Sequence, residues 1–122
     1  MELKKVHEDK RGFIYVISDL LSEGREFTIL EIKKGAARGG CLHSKDENFA
    51  IIKGKVKVIC GNKEWEALAG ESGKFPAGVP HVFIGLEDSI ISEWGITFQE
   101  KDLDRKEESL RKIVDETNEK NL

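Results

Sequence analysis

Gly35-Ala36-Ala37-Arg38-Gly39-Gly40-Cys41-Leu42-His43-Ser44-Lys45-Asp46-Glu47-Asn48-Phe49-Ala50-Ile51-Ile52-Lys53-Gly54 brings a thiol, an imidazole and a carboxylate together between glycines. In extended backbone, side chains alternate between faces, so Cys41 and His43 share a side, and Glu47 keeps that parity if the strand bends gently. Three groups able to bind metal or move protons would then point one way. Gly35, Gly39 and Gly40 permit positive φ or close backbone approach before them, and Gly54 ends the apolar run Phe49 to Ile52 in a turn. The stretch reads as a functional strand pair.

Downstream, Lys55 to Cys60 alternates charged and apolar residues, with Val56, Val58 and Cys60 inward. Gly61-Asn62 is a hairpin signal that returns the chain through Lys63 to Leu68, where Trp65 and Ala67 alternate with glutamates. Cys60 is read as a small core hydrophobe. From Gly70 to His81, prolines and glycines fix a turn and deliver His81 to the mouth of the strand Val82-Phe83-Ile84. Ser89 to Phe98 is expected as a last strand, or two broken at Gly95. The period then changes: Leu103, Leu110, Ile113 and Val114 recur at helical spacing, giving an amphipathic helix over about 102–117.

Upstream, Phe27 to Lys33 carries apolar and β-branched residues on both parities, as a central strand does, and Phe13 to Ser18 is a further strand. Leu20 to Glu26 reads as a turn or short helical crossing, and Met1 to Lys10 as a polar lead-in with His7 a solvated histidine.

The chain has 122 residues, enough for one domain with its own core, taken as 1–122 with the strands over about 12–98. Charged residues of both signs make up 35% with a formal net charge of −3, so no basic face for nucleic acid is implied. The N-terminus opens on charged residues rather than a secretory signal, so a reducing cytoplasm is expected and the two cysteines are read as free. The apolar runs are far too short for a membrane span. Short strands with close turn signals, then one helix, argue for an all-β sandwich or barrel of jelly-roll kind.

On these residues the chain resembles the cupin superfamily. Gly35, five residues, Cys41, one, His43, three, Glu47, six, Gly54 is similar to the first cupin motif, with Cys41 where the family usually has a histidine. Gly70, five residues, Pro76, one, Gly78, two, His81 is similar to the second, with Gly85 where asparagine is common. The resemblance implies a double-stranded β-helix, a jelly-roll barrel of RmlC-like type with a C-terminal α-helix, and homodimerisation. It also implies one divalent transition metal held by Cys41, His43, Glu47 and His81. A thiolate, two imidazoles and a carboxylate suit Zn, Fe, Ni, Co or Cu better than Mg or Ca. The thiolate should weaken any preference for Mn and make the site sensitive to oxidation.

A finer resemblance points elsewhere. Asp9-Lys10-Arg11-Gly12-Phe13 looks like the opening of cupins that act on nucleotide-linked sugars. Arg38 to His43 is similar to the Arg-Gly-x-His-x-His stretch of their 3,4-ketoisomerase branch, and Phe98 to Arg105 resembles that branch's tail. Carried across, His43 would be the catalytic base with Cys41 in place of its partner, and Arg38 would hold phosphate or sugar oxygens. Three readings follow. The leading one is a metal-binding cupin that transforms or binds a small polar molecule; the others are a metal-independent sugar-nucleotide isomerase or epimerase using His43, and a non-catalytic ligand-binding cupin.

Overall fold

The computed structural model describes residues 2–19, 25–102 and 107–122, with backbone only for residues 101 and 102. Ten strands run in order: β1 (Glu2–Asp9), β2 (Gly12–Ser18), β3 (Glu26–Ile32), β4 (Ala37–Cys41), β5 (Glu47–Lys53), β6 (Lys55–Cys60), β7 (Lys63–Leu68), β8 (Ser72–Phe75), β9 (His81–Gly85) and β10 (Ser89–Trp94). Two helices follow, α1 (Phe98–Asp102) and α2 (Glu108–Asn121). The strands form a six-stranded sheet, β1-β2-β3-β10-β5-β8, and a four-stranded sheet, β4-β9-β6-β7, with antiparallel pairing throughout. This is the all-β jelly-roll expected.

Alternation places the core between the sheets. Leu30 and Ile32 of β3, Phe49 and Ile51 of β5, Val56 and Val58 of β6, Phe83 of β9 and Ile91 of β10 are buried in one cluster. Phe75 stacks on Phe49 with ring centroids 4.6 Å apart. The Gly61-Asn62 hairpin forms as read, pairing Cys60 with Lys63. Cys60 packs against the core, and burial pushes its thiol pKa up. Ala67 is buried on β7, whereas Trp65 on the same face is 38% exposed, because β7 is a sheet edge with little above it.

A second cluster lies outside the smaller sheet, where Leu110 and Val114 of α2 cover Ala37 of β4 and Val82 of β9. The helix also satisfies the free edge of β4: the Asn118 side-chain amide accepts from Ala37 N at 2.7 Å and donates to Ala37 O at 3.0 Å. Arg111 Nη1 donates to Gly39 O at 2.9 Å, and Glu107 N to Gly40 O at 2.9 Å. An edge strand is thus closed by side chains and a helix start rather than by another strand.

Several elements differ from the reading of the sequence. The polar lead-in is strand β1, paired with β2 through backbone while nearly all its side chains stay exposed, so it shows no apolar alternation. Within the Gly70 to His81 turn, Ser72 to Phe75 forms β8 against β5. The last strand stops at Trp94, and Gly95 follows with φ +106°. Thr97 Oγ1 then accepts from Glu100 N at 3.2 Å while Glu100 Oε2 accepts from Thr97 N at 2.8 Å. That reciprocal capping starts α1 and takes Phe98 out of the strand. The C-terminal helix spans Glu108–Asn121 rather than 102–117, and Glu107 caps it by accepting from Ser109 N at 3.0 Å. Ile113 is exposed, and Leu103 and residues 20–24 of the expected crossing lie outside the described residues.

Candidate metal centre

The site is assembled by a defect in β4. Ala37, Arg38 and Gly39 pair with Ile84, Phe83 and Val82, but the register shifts before Cys41 pairs with His81. Gly40 is the extra residue, at φ +84° after Gly39 at φ +114°, both left-handed values that favour glycine. Without this bulge Cys41 would share the helix-facing side with Ala37. With it, Arg38 and Cys41 both face the interior, on the same side as His81 and Phe83.

His43 follows in the β4–β5 loop and Glu47 opens β5. The second motif clamps this loop: Gly78 N donates to His43 O at 2.8 Å, and Ala77 N to Asp46 Oδ1 at 2.8 Å. The glycines and proline before His81 therefore position His43 as well.

Cys41, His43 and His81 each offer a ligand atom, and these atoms lie within 4.8 Å of one another. Cys41 Sγ is 3.8 Å from His43 Nε2, and Glu47 Oε1 is 3.7 Å from His43 Nε2 and 3.5 Å from His81 Nε2. His43, Glu47 and His81 are all at least 95% buried, and Cys41 is half-buried. His81 is held on its other sides. Its ring stacks on Phe75 at 3.9 Å and 7°, and Nδ1 lies 3.4 Å from Val79 O. With the proton on Nδ1, donated to that carbonyl, the Nε2 lone pair faces the cluster, the arrangement a metal-binding histidine needs.

The donors fit a borderline divalent cation. A carboxylate as deeply buried as Glu47 is stable as an anion only beside positive charge, which a cation held among these four donors would supply. The set is mixed sulfur, nitrogen and oxygen, and the cavity leaves room beside it for a water or a ligand.

That cavity is about 370 Å³. Besides the four donors, its lining includes Thr28, Arg38, Glu93 and Arg111. Arg38, read from the sequence as a holder of phosphate or sugar oxygens, does line it, but Nε donates to Glu31 O at 3.1 Å and Nη2 to Gly12 O at 2.9 Å. Two of its nitrogens thus tie β4 to the other sheet. Burial, with Arg11 nearby, brings its pKa down to about 10, so it stays charged at neutral pH. Arg11 itself grips Asp9, Nη2 to Oδ2 at 2.6 Å. Thr28 and Glu93, buried and polar, are missing from the sequence reading. Their signal was parity: Thr28 shares a face with Leu30 and Ile32, and Glu93 with Ile91.

Comparison with known proteins yields a cupin domain model that matches residues 28–94. No curated protein matches the chain. Among solved structures, the chain is similar to Bacillus subtilis oxalate decarboxylase, for example its S161A mutant, at a TM-score of 0.72 and 18% identity over 86% of this chain and 30% of that one. It is also similar to Lactobacillus farciminis oxalate decarboxylase in a formate complex, at a TM-score of 0.64 and 26% identity over 75% of this chain and 30% of that one. A third is CapF with a tropolone inhibitor, at a TM-score of 0.61 and 21% identity over 76% of this chain and 30% of that one. The chain thus spans under a third of the length of these structures.

Proposed function

The chain belongs to the cupin domain family, and from that premise we propose that it binds one divalent transition metal through Cys41, His43, Glu47 and His81 and uses it to bind or transform a small polar molecule in the adjoining cavity. The observation that carries this is the convergence of a thiol and two buried imidazoles within 4.8 Å, with a buried carboxylate oxygen 3.5 to 3.7 Å from both imidazoles. One solved relative is described by its Mn(II) centres; here the thiol in the donor set favours Zn, Fe, Ni, Co or Cu.

A bound metal would supply Lewis acidity or, if redox-active, oxygen activation. The chain's own residues do the rest. Phe75 and the Val79 carbonyl orient His81, the Gly78 amide fixes the His43 loop, and Arg38 keeps a positive charge in the cavity wall. His43, beside Cys41 Sγ and Glu47, is the group able to hold or move a proton in a metal-free account, that of a sugar-nucleotide isomerase. Against that account, Arg38 has two nitrogens committed to backbone carbonyls rather than to phosphate.

The protein is proposed to act as a homodimer. The outward face of the larger sheet carries apolar side chains on neighbouring strands: Tyr15 and Ile17 of β2 pair with Ile29 and Phe27 of β3, and Phe27 pairs in turn with Trp94 of β10. A second copy of this face would cover it.

Elemental analysis of untagged protein, purified without chelator, tests the metal reading. Near-stoichiometric metal in the wild type that is lost in Cys41→Ser and His81→Ala is the expected result; a folded wild type that neither carries nor takes up metal overturns it.

A further inference from the structure

The wall of the cavity formed by the larger sheet carries a polar pair with no part in holding a metal. Thr28 and Glu93 are direct partners in the β3–β10 ladder, 2% and 7% exposed, and both line the cavity. Directly paired side chains on one face of a ladder stand roughly 5 Å apart, so one ligand group can meet both. Among the described residues Thr28 Oγ1 has no hydrogen-bond partner. A buried hydroxyl left so is costly, and because Thr28 lines the cavity, a polar group held there beside Glu93 can satisfy it.

The chemistry of the pair selects the occupant. Glu93 as a carboxylate only accepts hydrogen bonds, and Thr28 can do either, so together they call for a group that donates and accepts, a hydroxyl. The guanidinium groups of the lining, Arg11, Arg38 and Arg111, stand against Glu47 and Glu93 within it and Asp9 and Asp115 beside it. A bound divalent cation would therefore be the charge that draws an anionic group into the cavity.

Resting on the metal-centre reading, we propose that Thr28 and Glu93 form a hydroxyl-recognition subsite and that the cavity takes a small hydroxylated carboxylate, its carboxylate towards the metal.

Calorimetric titration of the full chain with L-malate, D-malate and glycolate, against their hydroxyl-free analogues succinate and acetate, tests this, with metal content measured on the same samples. At least one hydroxy acid should bind about tenfold tighter than its analogue, since sites built around a hydroxyl reject ligands that lack it. Thr28→Val should bring that ratio to about one while keeping the metal, and should raise the melting temperature of the ligand-free protein, because it removes a buried unpartnered hydroxyl. A threonine with only a structural role would lower it. Equal binding of acids with and without the hydroxyl, no binding of either, or a preference that survives Thr28→Val would overturn the subsite. Absence of metal from the wild type overturns the metal centre instead, and the hydroxyl preference is judged from the titration alone.

Discussion

Cys41 and His81 are direct partners in the β4–β9 ladder, and they meet on its inner face because Gly40 is an extra residue in β4. The two motifs, 40 positions apart, are thereby joined at their first and last chemical groups. The bulge also sets a glycine directly against helix α2.

Gly40→Ala should unseat both the site and helix α2. An added Cβ would lie 2.7 Å from Arg111 Cδ and 3.0 Å from its Cα and N, at a φ of +84°. Left-handed strain alone costs about 1–2 kcal/mol, and the contact with helix backbone adds to it. Gly70→Ala, at φ +93° with nothing within 4 Å, carries the strain without the clash and is the control. Urea unfolding should show the larger loss in Gly40→Ala, together with loss of metal that Gly70→Ala retains.

Phe75→Ala removes the ring that stacks on both His81 and Phe49. Deleting a fully buried phenylalanine costs about 3–5 kcal/mol. Metal affinity should fall as well, because His81 then loses the surface that fixes its ring; unchanged affinity in a protein still folded would show that stacking does not orient this ligand.

Asn118→Ala should free the edge of β4. It deletes two hydrogen bonds to Ala37, whose backbone is buried under α2, and each is worth about 1 kcal/mol. Amide exchange at Ala37 should accelerate more than at Val56, deep in the other half of the sheet.

The Asp9 carboxylate gives a pH signature. Burial pushes its pKa up, but hydrogen bonds from Arg11 and His7 outweigh this and hold it well below its ordinary 3.8. Because the folded value is the lower one, the stabilisation is present at neutral pH and is lost as pH falls through 3.8 towards the folded value. Asp9 is a third exposed, so the gap between wild type and Asp9→Asn should be only about 1 kcal/mol at pH 7. It should close in acid, as urea titrations at several pH values will show.

Much of the candidate site was legible because cupin spacing points to it: Cys41, His43, Glu47 and His81 stand at the motif positions, and the structure brings their side chains near one another. Parity alone fell short, since simple alternation from Arg38 puts Cys41 on the wrong face and only the Gly39-Gly40 bulge restores it. Strand β1 escaped notice because a strand exposed on both faces has no apolar period, its pairing resting on backbone groups common to every residue. The start of α1 was readable in Thr97-Phe98-Gln99-Glu100, a capping-box pattern masked by the β-rich run before it. Thr28 and Glu93 were overlooked because polar residues inside apolar strands read as interruptions until the opposite wall is known.

Cobalt(II) substitution tests the central claim most directly. Cobalt reconstituted into the wild type should give a near-ultraviolet thiolate-to-cobalt charge-transfer band at one metal per chain, absent from Cys41→Ser and unchanged in Cys60→Ser. A cobalt complex without that band, or one whose band follows Cys60, would contradict a metal centre built on Cys41.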